Sequence, residues 1–416
     1  MRNSPFWWVL IGFMLLLDFY FFQAVKFLVN NVSPKTKTII YSAYWIISLS
    51  AIIMLLILPF LHFEKQAKWI RTTIFAIIAG VFFSKLIASV FFLVDDIRRG
   101  IQWIAGKIFF SNTEGENLQS GEKITRSAFL SWAGLLAGGG LFSTLIYGFN
   151  NKYRYQVKRV KLSAANLPAA FKGLKIVQIS DIHSGSFSDK EAVMKGIKKI
   201  IKEKPDLILF TGDLVNNTAD EMEDYIEVFN KISAPLGVFS TLGNHDYGDY
   251  IQWDSEEAKK ANLEKLKTIH ARLGWKLLMN EHSILEKEGE KIAVIGIENW
   301  SAKSNFPKYG DLKKAYTGTE KYSYKILLSH DPSHWKAEVC ETFKDIDLML
   351  AGHTHGMQFG VEIPGVKWSP VQYVYKEWAG LYENTTQKLY VNRGFGFIGY
   401  PGRVGILPEI TVLELG

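Results

Sequence analysis

Four stretches in the first 150 residues, approximately 5–29, 38–61, 69–94 and 126–149, are apolar over lengths that leave them very few ways to fold. A helix needs roughly 20 apolar residues to cross a bilayer. In lipid, every backbone amide of a helix must find its partner within the same segment, so runs of this kind form helices whatever follows them. The first stretch is too long and too aromatic for a cleaved signal peptide, and no small-residue cleavage site follows it. Buried helices of a water-soluble bundle are the alternative, and the scarcity of charge argues against it. Residues 1–150 are therefore expected to form an all-α region with four membrane spans.

Two charges interrupt these spans. Asp18 falls near the middle of the first and Lys85 within the third. An ionised side chain there costs roughly 2.5–3.5 kcal/mol on insertion scales, so such groups usually pair or face water. The two could pair with each other, or Lys85 could snorkel toward an interface while Asp18 stays neutral or faces another helix. An even number of spans puts both chain ends on one side of the membrane, and Lys and Arg divide almost evenly between the two sides. The formal net charge of +7 is accounted for by basic residues beside anionic lipid, so it does not call for nucleic acid. The single cysteine, Cys340, excludes an internal disulfide.

Beyond a basic linker at 151–172, which could form a hairpin strand, residues 173–416 follow a different grammar. Short runs rich in Ile, Leu and Val ("KIVQIS", "DLILF", "GVFSTL", "YKILLS", "DLMLA") each end in Gly, Asp, Asn or His, as buried strands of an α/β domain do. A helix over 189–203 would bury Val193, Ile197, Ile200 and Ile201 and stop at Pro205. "TADE" at 218–221 has capping-box form, with Thr218 as N-cap and Glu221 three residues on. A helix over 255–272 would bury Leu263, Leu266, Ile269 and Leu273 and end at Gly274. Residues 95–125, with "SNTEGENLQSGEK" at their heart, read as a solvated loop.

The polar residues that end these strands are Asp181 and His183 in "SDIHSG", Asp213 in "TGDLVNN", and Asn244, His245 and Asp246 in "LGNHDYG". "LSHDPSH" adds His330, and "AGHTHG" adds His353 and His355. Side chains just beyond the carboxyl ends of strands converge on one crevice. Asp and His without Cys suit borderline and hard divalent metals. In D-x-H and H-x-H, residues i and i+2 of an extended backbone project to one side, so both could face the same cleft. The glycines of "GD", "GN" and "GH" allow sharp turns. The remaining histidines, His62, His270, His282 and His334, read as structural or solvated.

The order D-x-H, G-D, G-N-H-D, H, G-H-x-H resembles the calcineurin-like metallophosphoesterase superfamily over roughly 173–416. The flanking text "GLKIVQISDIHSG" and the ending "RGFGFIGYPGRVGILPEITVLEL" look like its membrane-associated bacterial branch, which UDP-2,3-diacylglucosamine pyrophosphatases resemble. The resemblance implies a double β-sheet sandwich flanked by helices. It also implies two divalent ions (Mn, Fe, Zn or Mg), with Asp181, His183 and His355 on one, Asn244, His330 and His353 on the other, and Asp213 between them. A hydroxide activated by both ions would then cleave a phosphodiester or pyrophosphate bond. His245 is expected to protonate the leaving oxygen or bind phosphate, and Asp246 to orient His245 or shape the turn. Met357 departs from the pattern, standing where relatives commonly have glycine.

Tethering to a membrane favours a phospholipid or lipid-linked substrate. The same chemistry on soluble nucleotides or phosphoesters, and a non-catalytic membrane sensor, are the rival readings. Asn216, Asn217, Arg393 and Arg403 could touch substrate phosphate or serve turns and packing. The aromatic segment of Trp368, Tyr373, Val374, Tyr375 and Trp378 would dock on a membrane, admit an acyl chain or pack in the core. "TRSAFLS" at 125–131 looks like a twin-arginine export signal with its second Arg replaced by Ser. An inner-membrane protein with an extracytoplasmic domain is expected, on resemblance alone.

Overall fold

The computed structural model describes residues 5–61, 68–109 and 127–416. His62, the heart of the 95–125 segment and the first residues of "TRSAFLS" lie outside them. The chain divides into two compact units, residues 1–147 and 148–416.

The first unit contains helices α1 (Pro5–Leu28), α2 (Pro34–Ile57), α3 (Lys68–Phe109) and α4 (Ala128–Gly148). All four are long and apolar enough to cross a membrane. The third departs from expectation: it runs for 42 residues and takes in 95–109, which the sequence suggested as loop. At about 1.5 Å per residue it outruns the roughly 30 Å hydrocarbon layer. Helix continues there because Asp95 pairs with Arg98 and Asp96 with Arg99, one turn apart. Asp95 also accepts the Ser127 N–H at the start of α4, at 2.9 Å.

Asp18 and Lys85 do meet. Lys85 Nζ lies 2.6 Å from Asp18 Oδ1 and donates to Ser48 Oγ at 2.6 Å. Ser48 in turn donates to Asp18 Oδ1 at 3.1 Å, and the Tyr44 hydroxyl donates to the Asp18 carbonyl at 2.8 Å. Three helices thus share one buried polar cluster.

The second unit is built on two six-stranded sheets. The strands are β1 (Gln156–Leu162), β2 (Lys175–Ile179), β3 (Leu207–Thr211), β4 (Val238–Thr241), β5 (Lys276–Leu277), β6 (Glu281–Lys287), β7 (Glu290–Gly296), β8 (Lys325–Leu328), β9 (Leu348–Ala351), β10 (Val361–Ile363), β11 (Val366–Trp368), β12 (Gly380–Asn384), β13 (Gln387–Val391) and β14 (Glu409–Leu415). One sheet runs β1-β14-β2-β3-β4-β5 and the other β12-β13-β9-β8-β7-β6, while β10 and β11 form a separate hairpin. The strand expected as part of a hairpin in the basic linker is β1, which instead pairs in parallel with the last strand, β14.

Because side chains alternate across a strand, each sheet has two apolar faces. Ile176, Leu207, Leu209, Ile326, Leu328 and Leu350 fill the space between the sheets. On the far side of the first sheet, Val177, Ile179, Ile208 and Phe210 pack on α5 (Lys190–Lys202), α6 (Ile226–Phe229) and α7 (Glu256–Arg272). On the far side of the second, Ile295, Leu327 and Met349 pack on Trp335 and Val339. The result is a double sheet sandwich flanked by helices.

Local details correct the expectations. α5 buries Val193, Ile197 and Ile200, but Ile201 points to solvent, a further 100° round the helix. α7 buries Leu266 and Ile269, with Leu263 partly covered. Thr218 makes no side-chain cap; Glu221 instead accepts the Asn216 N–H at 2.6 Å, so the capping box is not formed.

Candidate metal centre

The five motifs meet beyond the ends of β2, β3, β4, β8 and β9. The backbone gets them there by an unexpected route. Asp181, His183, Asp213, His353 and His355 all have left-handed φ, between 49° and 70°. Each such residue costs about 1–2 kcal/mol, a strain that clusters at functional sites. D-x-H and H-x-H are therefore tight turns, not extended strands. The two histidines of H-x-H part company, one to each half of the site. Gly243 and Gly352 are there for space: a Cβ would lie 2.2 Å from Asp213 Oδ1 at the first and 2.2 Å from Asp181 Oδ2 at the second.

Candidate ligand atoms of Asp181, His183 and His355 lie within 4.8 Å of one another, as do those of Asp213, His330 and His353. One oxygen joins the two groups. Asp213 Oδ2 is 3.5 Å from His183 Nε2 and 3.1 Å from His330 Nε2. Asn244 Oδ1 sits 2.8 Å from His353 Nδ1, its orientation set by Nδ2 donating to the Tyr250 hydroxyl at 2.8 Å. All seven expected ligands thus border one pocket.

Neighbouring groups aim these side chains. His330 Nδ1 donates to the Thr211 carbonyl at 2.7 Å, which turns Nε2 toward Asp213. His353 Nε2 lies 3.0 Å from the Tyr375 hydroxyl and 3.6 Å from Asp331 Oδ2, which turns Nδ1 inward. Sequence reasoning missed Asp331, although its place directly after His330 at a strand end was a usable signal. The Asp181 carboxylate accepts the His353 N–H.

Does this pocket suit cations? Both ring nitrogens of His183 are buried without a hydrogen-bond partner among the described residues, and so is His355 Nε2. Unpaired buried polar atoms are costly, and here they converge on carboxylates. Burial pushes His183 well down and also lowers His353, which favours the neutral imidazoles that a cation needs. Burial would raise the Asp181 and Asp213 carboxyls, but His355 and His330 respectively hold them below the usual range. Burial would lower His330, yet the Asp213 carboxylate beside it pushes it up to about 10. That proton must leave before Nε2 can serve a cation, so metal binding releases it. The residues fit divalent metal.

His245 stands beside the pocket, its ring centre 5.0 Å from that of His183. Its Nδ1 donates to the Asn216 carbonyl at 2.8 Å, which fixes the orientation of the ring. Asp246 does not touch that ring. Its carboxylate accepts the backbone N–H groups of Asp213, Leu214, Val215 and Gly243, at 2.8–3.3 Å. Asp246 therefore splices the β3 and β4 loops together, and Asn216 takes the orienting role expected of it. The two arginines are also spoken for. Arg393 pairs with Glu409 and Glu362, and the fully buried Arg403 donates to the carbonyls of His355, Arg393 and Gly394. Neither reaches out to a phosphate.

Residues 174–357 match the family described as "Calcineurin-like phosphoesterase", and residues 1–152 match "Probable Calcineurin-like phosphoesterase, transmembrane domain". YkuE, an uncharacterized metallophosphoesterase of Bacillus subtilis, is 31% identical over 71% of this chain and 98% of its own length. The chain belongs to the calcineurin-like metallophosphoesterases. It is a membrane protein and a hydrolase of that family. The UDP-2,3-diacylglucosamine pyrophosphatase LpxG of Chlamydia trachomatis is 28% identical over 56% of this chain and 81% of its own length. A transmembrane protein with metallophosphoesterase domain from Danio rerio is 28% identical over 65% of this chain, which spans 60% of that protein.

Proposed function

We propose that the domain hydrolyses a phosphodiester or pyrophosphate bond in a lipid or lipid-linked substrate. Asp181, His183 and His355 would hold one divalent ion, Asn244, His330 and His353 a second, and Asp213 both. The observation that carries this reading is Asp213 Oδ2, one carboxylate oxygen within 3.5 Å of imidazoles from both groups. Two bound ions supply a water of lowered pKa and a clamp on the phosphoryl oxygens. The chain's own part is preorganisation: ligands pre-aimed by Thr211, Tyr375 and Asp331 need no rearrangement as charge develops. His245, fixed through Nδ1, presents Nε2 for handing a proton to the leaving oxygen.

Support for a lipid-linked substrate comes from the four spans and from the name of the chlamydial relative. The reading puts the protein in the inner membrane with this domain on the extracytoplasmic side, as the resemblance to the membrane-associated branch suggests. Purified full-length protein loaded with Mn²⁺ is expected to release phosphate products from a diacylated sugar nucleotide faster than from a soluble diester. Equal turnover of both would favour soluble phosphoesters. No turnover of either, with Asp213→Asn indistinguishable from the parent chain, would favour a sensor.

A further inference from the structure

The hairpin of β10 and β11 is built inside out. Its register pairs Val361 with Trp368 and Ile363 with Val366. Since side chains alternate along a strand, these four share one face, and Glu362 and Lys367 share the other. In water the apolar face of such a hairpin should cover the domain. Here the charged face does. Glu362 takes ion pairs from Arg393 and Lys158, and Lys367 donates to the Ala379 carbonyl and lies over the Trp378 ring. The four apolar side chains point outward, Ile363 at 58% exposure, and Tyr373 and Val374 extend the patch at 77% and 58%. An exposed, contiguous apolar surface of this kind marks an interaction site.

What the patch meets is indicated by where the hairpin is rooted. Gly360, just before β10, donates its N–H to Val404, and Val404 donates back to Gln358. The neighbouring Arg403 donates its N–H to the carbonyl of Gly148, the last residue of α4, and its carbonyl accepts from Asn151 Nδ2. One short loop therefore grips both the residue where the last span ends and the base of the outward-facing hairpin. The patch also has an interfacial composition: Trp and Tyr favour the headgroup level of a bilayer.

We propose that the outer face of the β10–β11 hairpin, with Tyr373 and Val374, is a lipid-contacting surface that rests in the headgroup and upper acyl region of the membrane that the chain spans. The same segment continues to Tyr375, whose hydroxyl contacts His353, so the surface that meets lipid is joined to the wall of the site within a few residues. If the substrate is lipid-linked, as proposed above, this gives it a short way in. The membrane contact itself does not depend on that reading.

The test uses the full chain with Cys340→Ala, reconstituted in phosphatidylcholine–phosphatidylglycerol vesicles containing nitroxide-labelled lipid. Cysteines introduced singly as Ile363→Cys, Val366→Cys and Lys260→Cys carry an environment-sensitive fluorophore, and each protein's melting curve is checked against the parent. The labels at 363 and 366 are expected to emit at shorter wavelength and to lose most of their fluorescence to the nitroxide, while the label on the exposed Lys260 position keeps its own. Labels at 363 and 366 that behave as the one at 260 would overturn the proposal. So would a blue shift without quenching but with energy transfer between labelled copies, which would mean that a second copy covers the face. Both readouts are independent of turnover, so failure of the phosphoester reading leaves the result standing.

Discussion

The two units bury charge in opposite ways. In the helical unit, Asp18, Lys85, Ser48 and Tyr44 close on one another. In the sandwich, Asp181, Asp213 and four imidazoles crowd together while His183 and one nitrogen of His355 make no hydrogen bond among the described residues. A closed cluster spends its donors and acceptors on the fold. An open one keeps them for something else, at the cost of five left-handed residues that the surrounding fold must sustain. Burial of charge alone does not distinguish structure from function; whether the polar atoms satisfy one another does.

That contrast can be broken by experiment. The largest effect is expected in the bundle. Asp18→Ala or Lys85→Met alone should cost about 3–5 kcal/mol, because each strands a buried charge, whereas the double change should cost much less than the sum. Unfolding of the solubilised full chain measures both; additive losses would mean that the pair is not coupled. In the sandwich the stability change should be smaller than the loss of activity. Asp213→Asn is expected to lower kcat by about 10²–10³-fold with only a modest fall in melting temperature, because the lost attraction to His330 is partly offset by relief of repulsion with Asp181. An unfolded or severely destabilised variant would make Asp213 a structural residue.

His270 sharpens the comparison from a third direction. It is buried with neither a carboxylate nor a site role, its Nδ1 2.9 Å from Ser240 Oγ. Burial pushes it down from 6.5 to about 3. Between those values the unfolded chain binds a proton that the folded one refuses. Stability from this group is thus complete above pH 6.5 and is lost as pH falls, by about 1.4 kcal/mol per pH unit. His270→Leu should flatten that slope in acid-unfolding curves of the full chain; an unchanged slope assigns it elsewhere. The smallest effect is at Met357, a non-glycine at φ 55° in the strained loop after His355. Met357→Gly should raise stability by about 1 kcal/mol, read as a small upward shift in melting temperature with the same metal stoichiometry.

Much of this was legible in the sequence because it depends on local pattern. Long apolar runs must become helices in lipid, and short runs ending in Asp, Asn or His name the strands and the residues at their tips. Nine candidate site residues were picked out that way, and the family resemblance named seven of them as ligands. The sequence was silent wherever partners are distant. Asp246 next to His245 suggested either an orienting contact or a turn role; the fold gives it the turn role, and adds backbone N–H groups from a second loop that no local pattern announced. For Arg403 the sequence left phosphate contact and packing both open, and only the fold shows it buried among carbonyls. The helical continuation of α3 was hidden because a charged stretch ends an apolar run without ending a helix.

What the amino-acid order determined by itself was which segments seek lipid, which alternate as strands, and which donor types stand at the strand ends. Periodicity and chemical identity are properties of neighbours along the chain. Only the tertiary structure decided which oxygen of Asp213 faces two imidazoles at once, which rings keep their lone pairs unspent, and that a hairpin turns its apolar face away from its own domain. Those depend on distances between residues far apart in sequence, and packing alone sets them.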